Sequence, residues 1–455
     1  MNLLLLLVAL LPWSSSTVSL FTRIYLAVSL LSLEMQVTTL TGIGTLRSLI
    51  IFNTIFAGLL IAGQAKRGRA FRNWTSSAES PSPWQAWALL GGVVLVLNLS
   101  LPLEAADPYH LDRVAQIERL GTLAYAPDVD AKNIMSWIYE LALADVRQIP
   151  VVGTGLLRVH GIVSLLLYGL TLAVVHMWLR PGPTRWPLAA LVVIPTLFHQ
   201  FVLIKNDFFA TAPAFIALVW LITQAHRASS REIVWAGWLI GLVVACKLTN
   251  LPLAVVMIGG IIIARRGYGW RPMGWLTLGG SIGAITGGLF FTLFENVRWY
   301  GDIFASEAVA ELGNRTSSLV EATISVTRFG ISLFDLGLVT PVLWPDRGGW
   351  GSTFGLPFFW AVIVLALNFR CAREARWALW IAAVHFLLFS AVFPDADVHQ
   401  RLALAPALVV VAVAVHLLDR GGKYMRQAQL ALIPVLVLSS AQLLRSATLY
   451  LSRAG

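Results

Sequence analysis

A polar segment carries several side chains that could take part in acid–base chemistry. Asp107, His110, Asp112 and Arg113 lie close together, and Glu104 lies just before them. A carboxylate near a reacting hydroxyl can act as a general base. One hypothesis is therefore that these side chains face a site at a membrane surface. The alternative is that Asp107 only caps a helix and that Asp112 and Arg113 lie on a solvated face.

A second set of polar side chains interrupts apolar sequence at four places. Lys205 and Asp207 separate two apolar runs, Lys247 follows another run, and His399 and Arg401 precede a later one. Each alone could be a hairpin turn with an anchor at the membrane interface. Because all of them fall at one predicted membrane face, we expect them to converge. Cations beside carboxylates at a membrane surface suit a phosphate or pyrophosphate linked to a lipid.

The composition indicates which elements must position these residues. The chain has 455 residues, of which 57% are hydrophobic and only 12% are charged, whereas a soluble domain has about 25% charged residues. These values exclude a soluble globular enzyme, a disordered chain and a disulfide scaffold, and they favour an all-α polytopic membrane protein. The net charge of +10 does not indicate nucleic-acid binding, because the basic residues form short clusters between apolar runs.

Apolar runs long enough to be considered as spans predict about 13 transmembrane helices. The runs are 17–33, 46–63, 84–103, 155–179, 186–204, 207–225, 233–246, 249–264, 273–294, 354–369, 375–393, 401–418 and 428–447. Residues 2–12 form a further short run, which we interpret as a retained anchor or part of the first span. If the spans alternate, the basic clusters near residues 66–72, 180–185, 227–231, 265–271, 370–376 and 420–426 share one face, which we assign as cytoplasmic.

Two long loops, 104–154 and 295–353, then lie on the opposite face of a single membrane domain covering residues 1–455. Long loops usually carry function, so any chemistry is expected there. Asp107 followed by Pro108 predicts a helix start, and Gly121 predicts its end. A second amphipathic helix is expected over residues 133–146. Neither is long enough to span, so both are predicted to lie at the interface.

Several short motifs, in this order, resemble a known family. Asp107–Val114, with Tyr109-His110-Leu111, resembles the first outer loop of bacterial GT-C type membrane glycosyltransferases, relatives of the dolichyl-phosphate-mannose protein mannosyltransferases. The remaining similar segments are Asn206-Asp207, Gly241–Thr249, Asn296–Phe304 and Arg401–Pro406. The chain departs from the family pattern at Ile303, where proline is common, and in having several spans before the first long loop.

The resemblance implies that a sugar is transferred, with inversion, from a polyprenyl-phosphate donor outside the cytoplasm, in the bacterial inner membrane. Asp107 is the implied general base, with Asp112 or Glu104 next. Tyr109, His110, Arg113, Lys205, Asp207, Lys247, His399 and Arg401 are the implied substrate-binding residues. The acceptor, whether glycan, lipid or protein, is left open, as is a divalent cation at the loop carboxylate.

Two other functions are compatible with a polytopic chain. A transporter or flippase for lipid-linked saccharides predicts polar groups near the midplane, broken helices and internal repeats, and the sequence shows no fixed-period repeat. A membrane assembly factor without catalytic activity would not require Asp107 together with the cations.

Overall fold

The computed structural model describes residues 17–41, 54–55, 58, 108–120, 123, 137–147, 156–179, 186–202, 207–305, 318–333, 354–393, 400–418, 420 and 424–454. Within these ranges the protein is helical, with no strand. The α-helices are α1 (Thr17–Thr41), α2 (Pro108–Leu120), α3 (Ile138–Arg147), α4 (Leu156–Leu179), α5 (Pro195–Val202), α6 (Asp207–Thr223), α7 (Ser230–Cys246), α8 (Leu251–Ala264), α9 (Arg271–Thr286), α10 (Leu289–Tyr300), α11 (Leu319–Ser332), α12 (Gly355–Leu367), α13 (Arg373–Val392), α14 (Leu404–Leu418) and α15 (Met425–Ala454). The expected all-α class is confirmed.

The described residues contain fewer helices that could cross a membrane than the sequence predicted. Among the described residues, four helices are long and apolar enough, and a bent pair, α9 with α10, makes a fifth if it counts as one span. About 13 spans are therefore not supported. The runs 2–12 and 84–103, and nearly all of 46–63, lie outside the described residues.

Several apolar runs fall short of a span because the helix breaks inside them. The run 186–204 divides into a 3-10 segment, Trp186–Leu191, and the short helix α5. The run 273–294 bends by 61° between α9 and α10, where Gly288 adopts a positive φ of 86°, a conformation that favours glycine. Helix α6 is continuous, but it has only 17 residues.

The centre of the bundle is formed by α6 and α14, which pack against each other. Nearly every residue of α6 and all of α14 are buried. A helix that is apolar on all sides needs neighbours on all sides, and α4, α7, α12 and α13 supply them. Helix α15 lies at the edge and exposes much of its surface.

Helices α7 and α9 approach each other until their backbones touch. A Cβ atom added at Gly241 would lie 2.2 Å from the carbonyl oxygen of Gly280, and one at Gly279 would lie 2.0 Å from that of Val234. Close packing of small residues stabilises helix pairs where lipid removes the hydrophobic driving force. This contact fixes the end of α7, which carries Lys247.

The two ends of the bundle carry different charged groups. At one end, the hairpin between α6 and α7 meets the end of α8, where Arg265 Nη1 donates to the His226 carbonyl oxygen at 3.1 Å. Arg420 forms an ion pair with Glu374 at the start of α13, with 3.3 Å between Nη1 and Oε2. We call this the basic end. Asp207, Lys247 and Arg401 lie at the opposite helix termini.

Helix α2 agrees with the expected boundaries, since it begins at Pro108 and ends at Leu120, directly before Gly121. Its Val114 and Ile117 are buried, and Asp112 is exposed. The second predicted helix begins later than expected, at Ile138, and its described side chains through Ala144 are all buried. Helix α3 therefore packs inside the protein and presents no polar face there.

Candidate functional site

Three charged residues from distant parts of the chain meet at the end of the bundle opposite the basic end. Lys247 Nζ contacts Asp207 Oδ1, and Arg401 Nε lies 3.0 Å from Asp207 Oδ2. The Asp207 side chain is 2% exposed, that of Lys247 14% and that of Arg401 20%. We call these three residues the Asp207 cluster. By formal charge, these three side chains sum to +1.

Each member of the Asp207 cluster stands at a helix terminus. Asp207 is the first residue of α6, where the partial positive charge of the helix dipole favours a carboxylate. Lys247 caps the C-terminus of α7, where the dipole favours a cation. Both charges therefore interact favourably with the dipoles of their helices and with each other.

Arg401 is placed by its buried neighbour. Gln400 accepts a hydrogen bond from the Phe354 backbone N–H at 3.2 Å and donates from Nε2 to Ser332 Oγ at 2.7 Å. These bonds tie the 3-10 turn before α14 to α11 and to the start of α12. The hydrogen bonds of Gln400 therefore position the backbone of Arg401, and the Arg401 guanidinium takes no part in them.

The Arg401 guanidinium retains donors for a ligand. Its Nε lies close to Asp207, yet the N–H is not aligned for a hydrogen bond. In the part of the chain that the structure describes, the guanidinium has no other polar partner. A guanidinium offers five N–H donors in a planar fork that matches phosphate oxygens. The arrangement can therefore accept an anion beside Asp207.

A second charged cluster lies between α2 and α3. Glu140 Oε1 accepts from Arg113 Nη1 at 3.2 Å and lies 2.7 Å from His110 Nδ1. The side chains of Glu140 and His110 are 0% exposed, and that of Arg113 is 1% exposed. The Arg113 guanidinium also stacks over the Trp137 ring at 4.8 Å. We call Glu140, His110 and Arg113 the Glu140 cluster.

The charge of Glu140 is maintained by its partners. Burial alone would raise the pKa of Glu140, but Arg113 and the hydrogen bond with His110 together hold that pKa below its usual range. A buried carboxylate is stable only when it is paired in this way. The Glu140 cluster therefore joins α2 to α3 through a charge pair that excludes water.

A hydrogen-bonded chain extends from this cluster towards α5. Tyr139 contacts His160 through its hydroxyl and Nδ1, and His160 Nε2 lies 2.8 Å from the Gln200 carbonyl oxygen. His110 packs edge to face on the Tyr139 ring, with centroids 5.6 Å apart. These contacts link the two loop helices to the helix that precedes Asp207 in the chain.

The two clusters lie near each other. The ring of Phe209, in the first turn of α6, contacts that of Tyr139 at 5.9 Å between centroids. Helix α3 also packs against α7, whose C-terminus is capped by Lys247. Helices α2 and α3 and the helix termini that carry the Asp207 cluster therefore belong to one region of the protein.

The structure separates some residues that the sequence grouped together. His110 and Arg113 point inward to Glu140, whereas Asp112 is exposed, because residues three apart share a helix face and Asp112 does not share theirs. These charged side chains therefore do not all face one site. The backbone of Tyr109 lies in the first turn of α2. Glu104, Asp107, Lys205 and His399 lie outside the described residues.

Sequence reasoning missed Glu140 and Gln400, which hold the segments in place. Glu140 is a single carboxylate within the mostly apolar stretch Ile138–Ala144, and His110 and Arg113 are three residues apart on one helix face. A carboxylate on an apolar face indicates a buried partner, and this signal could have paired Glu140 with Arg113. Gln400 carries no comparable signal.

The segment that follows α10 is also tied to that helix. Glu295 accepts from Trp299 Nε1 at 3.1 Å and pairs with Arg298 at 3.5 Å. Asn296 donates from Nδ2 to the Ile303 carbonyl oxygen at 3.2 Å. Gly301, with a φ of 68°, ends α10. Among the described residues, no group of three His, Cys, Asp or Glu side chains could hold a metal ion.

No protein-family model matches the chain, and no curated protein or solved structure matches it either.

Proposed function

We propose that the protein is a membrane glycosyltransferase that uses a polyprenyl-phosphate-linked sugar as donor. The observation that carries the proposal is the Asp207 cluster, where Lys247 and Arg401 share one carboxylate and where, among the described residues, the Arg401 guanidinium has no other polar partner. The resemblance of the same residues to motifs of GT-C type enzymes supports the donor class. The acceptor is a hydroxyl group on a glycan, a lipid or a protein.

The proposed reaction inverts the anomeric centre. The acceptor oxygen forms a bond to the anomeric carbon, and the bond from that carbon to the phosphate oxygen breaks. The lipid phosphate leaves with the electron pair, and Lys247 and Arg401 stabilise its charge. The acceptor proton passes to a loop carboxylate, with Asp107 the first choice and Asp112 or Glu104 next. The exposed position of Asp112 is compatible with this role.

The proposed orientation follows the distribution of arginine. The basic end carries Arg227, Arg265, Arg373 and Arg420 near one another. Positive charge is enriched in cytoplasmic loops, so we place this end in the cytoplasm and the Asp207 cluster on the outer face of the bacterial inner membrane. The sugar is then transferred outside the cytoplasm.

The first experiment tests the donor site. The protein is purified in mild detergent, and its bound lipids are extracted and weighed by mass spectrometry. We expect a polyprenyl phosphate or its glycoside in the wild type and its loss in Lys247→Ala and Arg401→Ala. Arg298→Ala is the control, because the Arg298 side chain is 65% exposed and pairs with Glu295 of the same helix. Identical profiles without any polyprenyl species would contradict the proposal.

A second experiment separates transfer from transport. Purified protein in vesicles receives a labelled polyprenyl-phosphate sugar and a mixture of acceptors. We expect a new glycoside with the wild type and none with Asp107→Asn, while the variant still retains donor lipid. Movement of the label across the bilayer without a new glycoside would instead identify a flippase.

A further inference from the structure

Helix α10 begins at the end of the bundle that carries the Asp207 cluster. The C-terminus of α9 lies beside that of α7, since a Cβ atom added at Gly287 would touch the Cβ atom of Ala245. Lys247 caps α7 two residues further on. From there the axis of α10 turns by 61° from that of α9. Helix α10 therefore leaves the direction of α9 close to the Asp207 cluster.

The side chains of α10 show the reverse of the distribution expected for a helix in contact with water. Its polar residues Glu295 and Asn296 are buried, whereas Phe290, Phe294 and Val297 are 48–56% exposed. A helix at the surface of a soluble protein buries its apolar face and exposes its polar face. The exposed face of α10 therefore fits an apolar environment and not water.

The exposed apolar surface of α10 continues that of α9. Leu278, Ile282 and Ile285 of α9 are 41–46% exposed, and their spacing places them on one face of the helix. Elsewhere on α9, Gly279 and Gly283 leave room for the backbone of α7. Packing through small residues, combined with exposed aliphatic side chains, is typical of a helix surrounded by lipid. Lipid beside α9 would also contact α10.

The last turn of α10 contains groups that are typical of a membrane–water interface. Glu295 pairs with the exposed Arg298 and accepts a hydrogen bond from the Trp299 indole N–H. The Arg298 guanidinium also lies over the Trp299 ring, 5.7 Å from its centroid. Charged side chains are costly at the centre of a bilayer, and tryptophan is enriched where the hydrocarbon meets the headgroups. This turn therefore belongs at the level of the lipid headgroups.

We propose that α10 is an interfacial helix that binds the membrane surface nearest the Asp207 cluster. Phe290, Phe294 and Val297 insert among the lipid acyl chains just below the headgroups, so α10 is not the second half of a broken span. Gly288, with its positive φ, permits the turn from α9 into the plane of this surface. The proposal concerns contact with lipid and does not depend on the proposed transfer reaction.

The test measures membrane depth at matched positions on the two helices. Full-length protein with Cys371→Ser loses its exposed cysteine, and Cys246 is buried. One cysteine is then introduced at a time and labelled with a nitroxide, and the protein is reconstituted in phosphatidylcholine vesicles. Collision rates with oxygen and with a water-soluble nickel chelate give the depth of each label. The substitutions, with the same spacing on each helix, are Phe290→Cys, Phe294→Cys and Val297→Cys on α10, and Leu278→Cys, Ile282→Cys and Ile285→Cys on α9.

We expect the depth to change steeply along α9 and little along α10. Seven residues of helix rise by about 10 Å, so the first and last labels on α9 should differ in depth by nearly that distance. The three labels on α10 should lie within about 10 Å of the headgroups. Their depths should differ by less than half of the difference along α9, because the helix axis has turned by 61°.

Three results would overturn the proposal. An equally steep change of depth along α10 would show that this helix is part of a span. Collision of the α10 labels mainly with the nickel chelate would place the face in water. Protection of these labels from both oxygen and the nickel chelate would show that another protein surface, such as a second copy of the chain, covers the face.

Two lysine variants test the same point without labels. Leu278→Lys places a charge in the middle of α9, whereas Phe294→Lys places one where the ammonium can reach the headgroups. We expect Leu278→Lys to reduce the yield of membrane-inserted protein more strongly than Phe294→Lys. An equal or larger loss with Phe294→Lys would contradict the interfacial position of α10.

Discussion

The Glu140 cluster and the Asp207 cluster contain similar side chains but differ in exposure and in charge balance. In the Glu140 cluster, a carboxylate meets one guanidinium and one imidazole, and all three side chains are buried. In the Asp207 cluster, a buried carboxylate meets two cations that both reach the surface. A fully buried pair fixes structure, whereas a cluster whose cations reach the surface can receive an anion.

This difference has a physical basis in desolvation. A buried charge pair gains stability only when each charge finds its partner, and removing one partner leaves the other uncompensated. When a cation has access to water, losing its partner costs less free energy. The two clusters should therefore respond differently to equivalent substitutions, even though they are neighbours.

The largest effect is expected from Glu140→Ala. The substitution leaves Arg113 buried without its carboxylate, and breaking a buried ion pair in this way costs about 3–5 kcal/mol in the free energy of unfolding. Denaturant unfolding in detergent micelles measures the loss. Asp112→Ala on the exposed face of α2 is the control and should change stability by about 0.5 kcal/mol or less. Similar losses in both variants would remove the distinction between the clusters.

Asp207→Asn should destabilise the protein by less, about 1–3 kcal/mol, because Lys247 and Arg401 can still contact water. The variant removes the carboxylate that Lys247 and Arg401 share. Added inorganic phosphate should therefore raise its melting temperature more than that of the wild type. If phosphate protects both proteins equally, the cluster is not an anion site.

Arg401→Lys should change the free energy of unfolding by about 1 kcal/mol or less, since the charge beside Asp207 is kept. Retention of polyprenyl phosphate should nevertheless fall about tenfold, because an ammonium cannot replace the planar fork. Native mass spectrometry of the variant beside Arg298→Lys measures this. Unchanged retention would mean that Arg401 acts as a simple point charge.

The smallest effect is a dependence of stability on pH. Because the pKa of Glu140 is lower in the folded protein, its pairing contributes fully above the unfolded-state pKa of about 4.3 and is lost as the pH falls through the folded value. Unfolding measured from about pH 6 to pH 3 should therefore show a steeper loss for wild type than for Glu140→Gln. Parallel curves would contradict the charge pairing.

The sequence predicted the helical class and the loop helix α2 correctly. Low charge and long apolar runs permit little besides a helical membrane protein, and Asp107-Pro108 and Gly121 are local signals for the two ends of α2. The predicted number of about 13 spans is not supported by the described residues. Hydropathy measures how apolar a run is. It does not show where a helix breaks, as it does before α5 and after α9. It also does not show which apolar helices are buried by other parts of the protein.

For the candidate site, the sequence identified charged residues at the ends of apolar runs and predicted that they lie at one membrane face. Asp207, Lys247 and Arg401 could be selected because ionisable groups at the ends of apolar runs are costly and therefore informative. Their contact, and the burial of Glu140 between Arg113 and His110, was decided by tertiary structure alone. These partners lie up to 194 residues apart (207 to 401), and only the packing of α6 against α7 and α14 brings them within hydrogen-bonding distance.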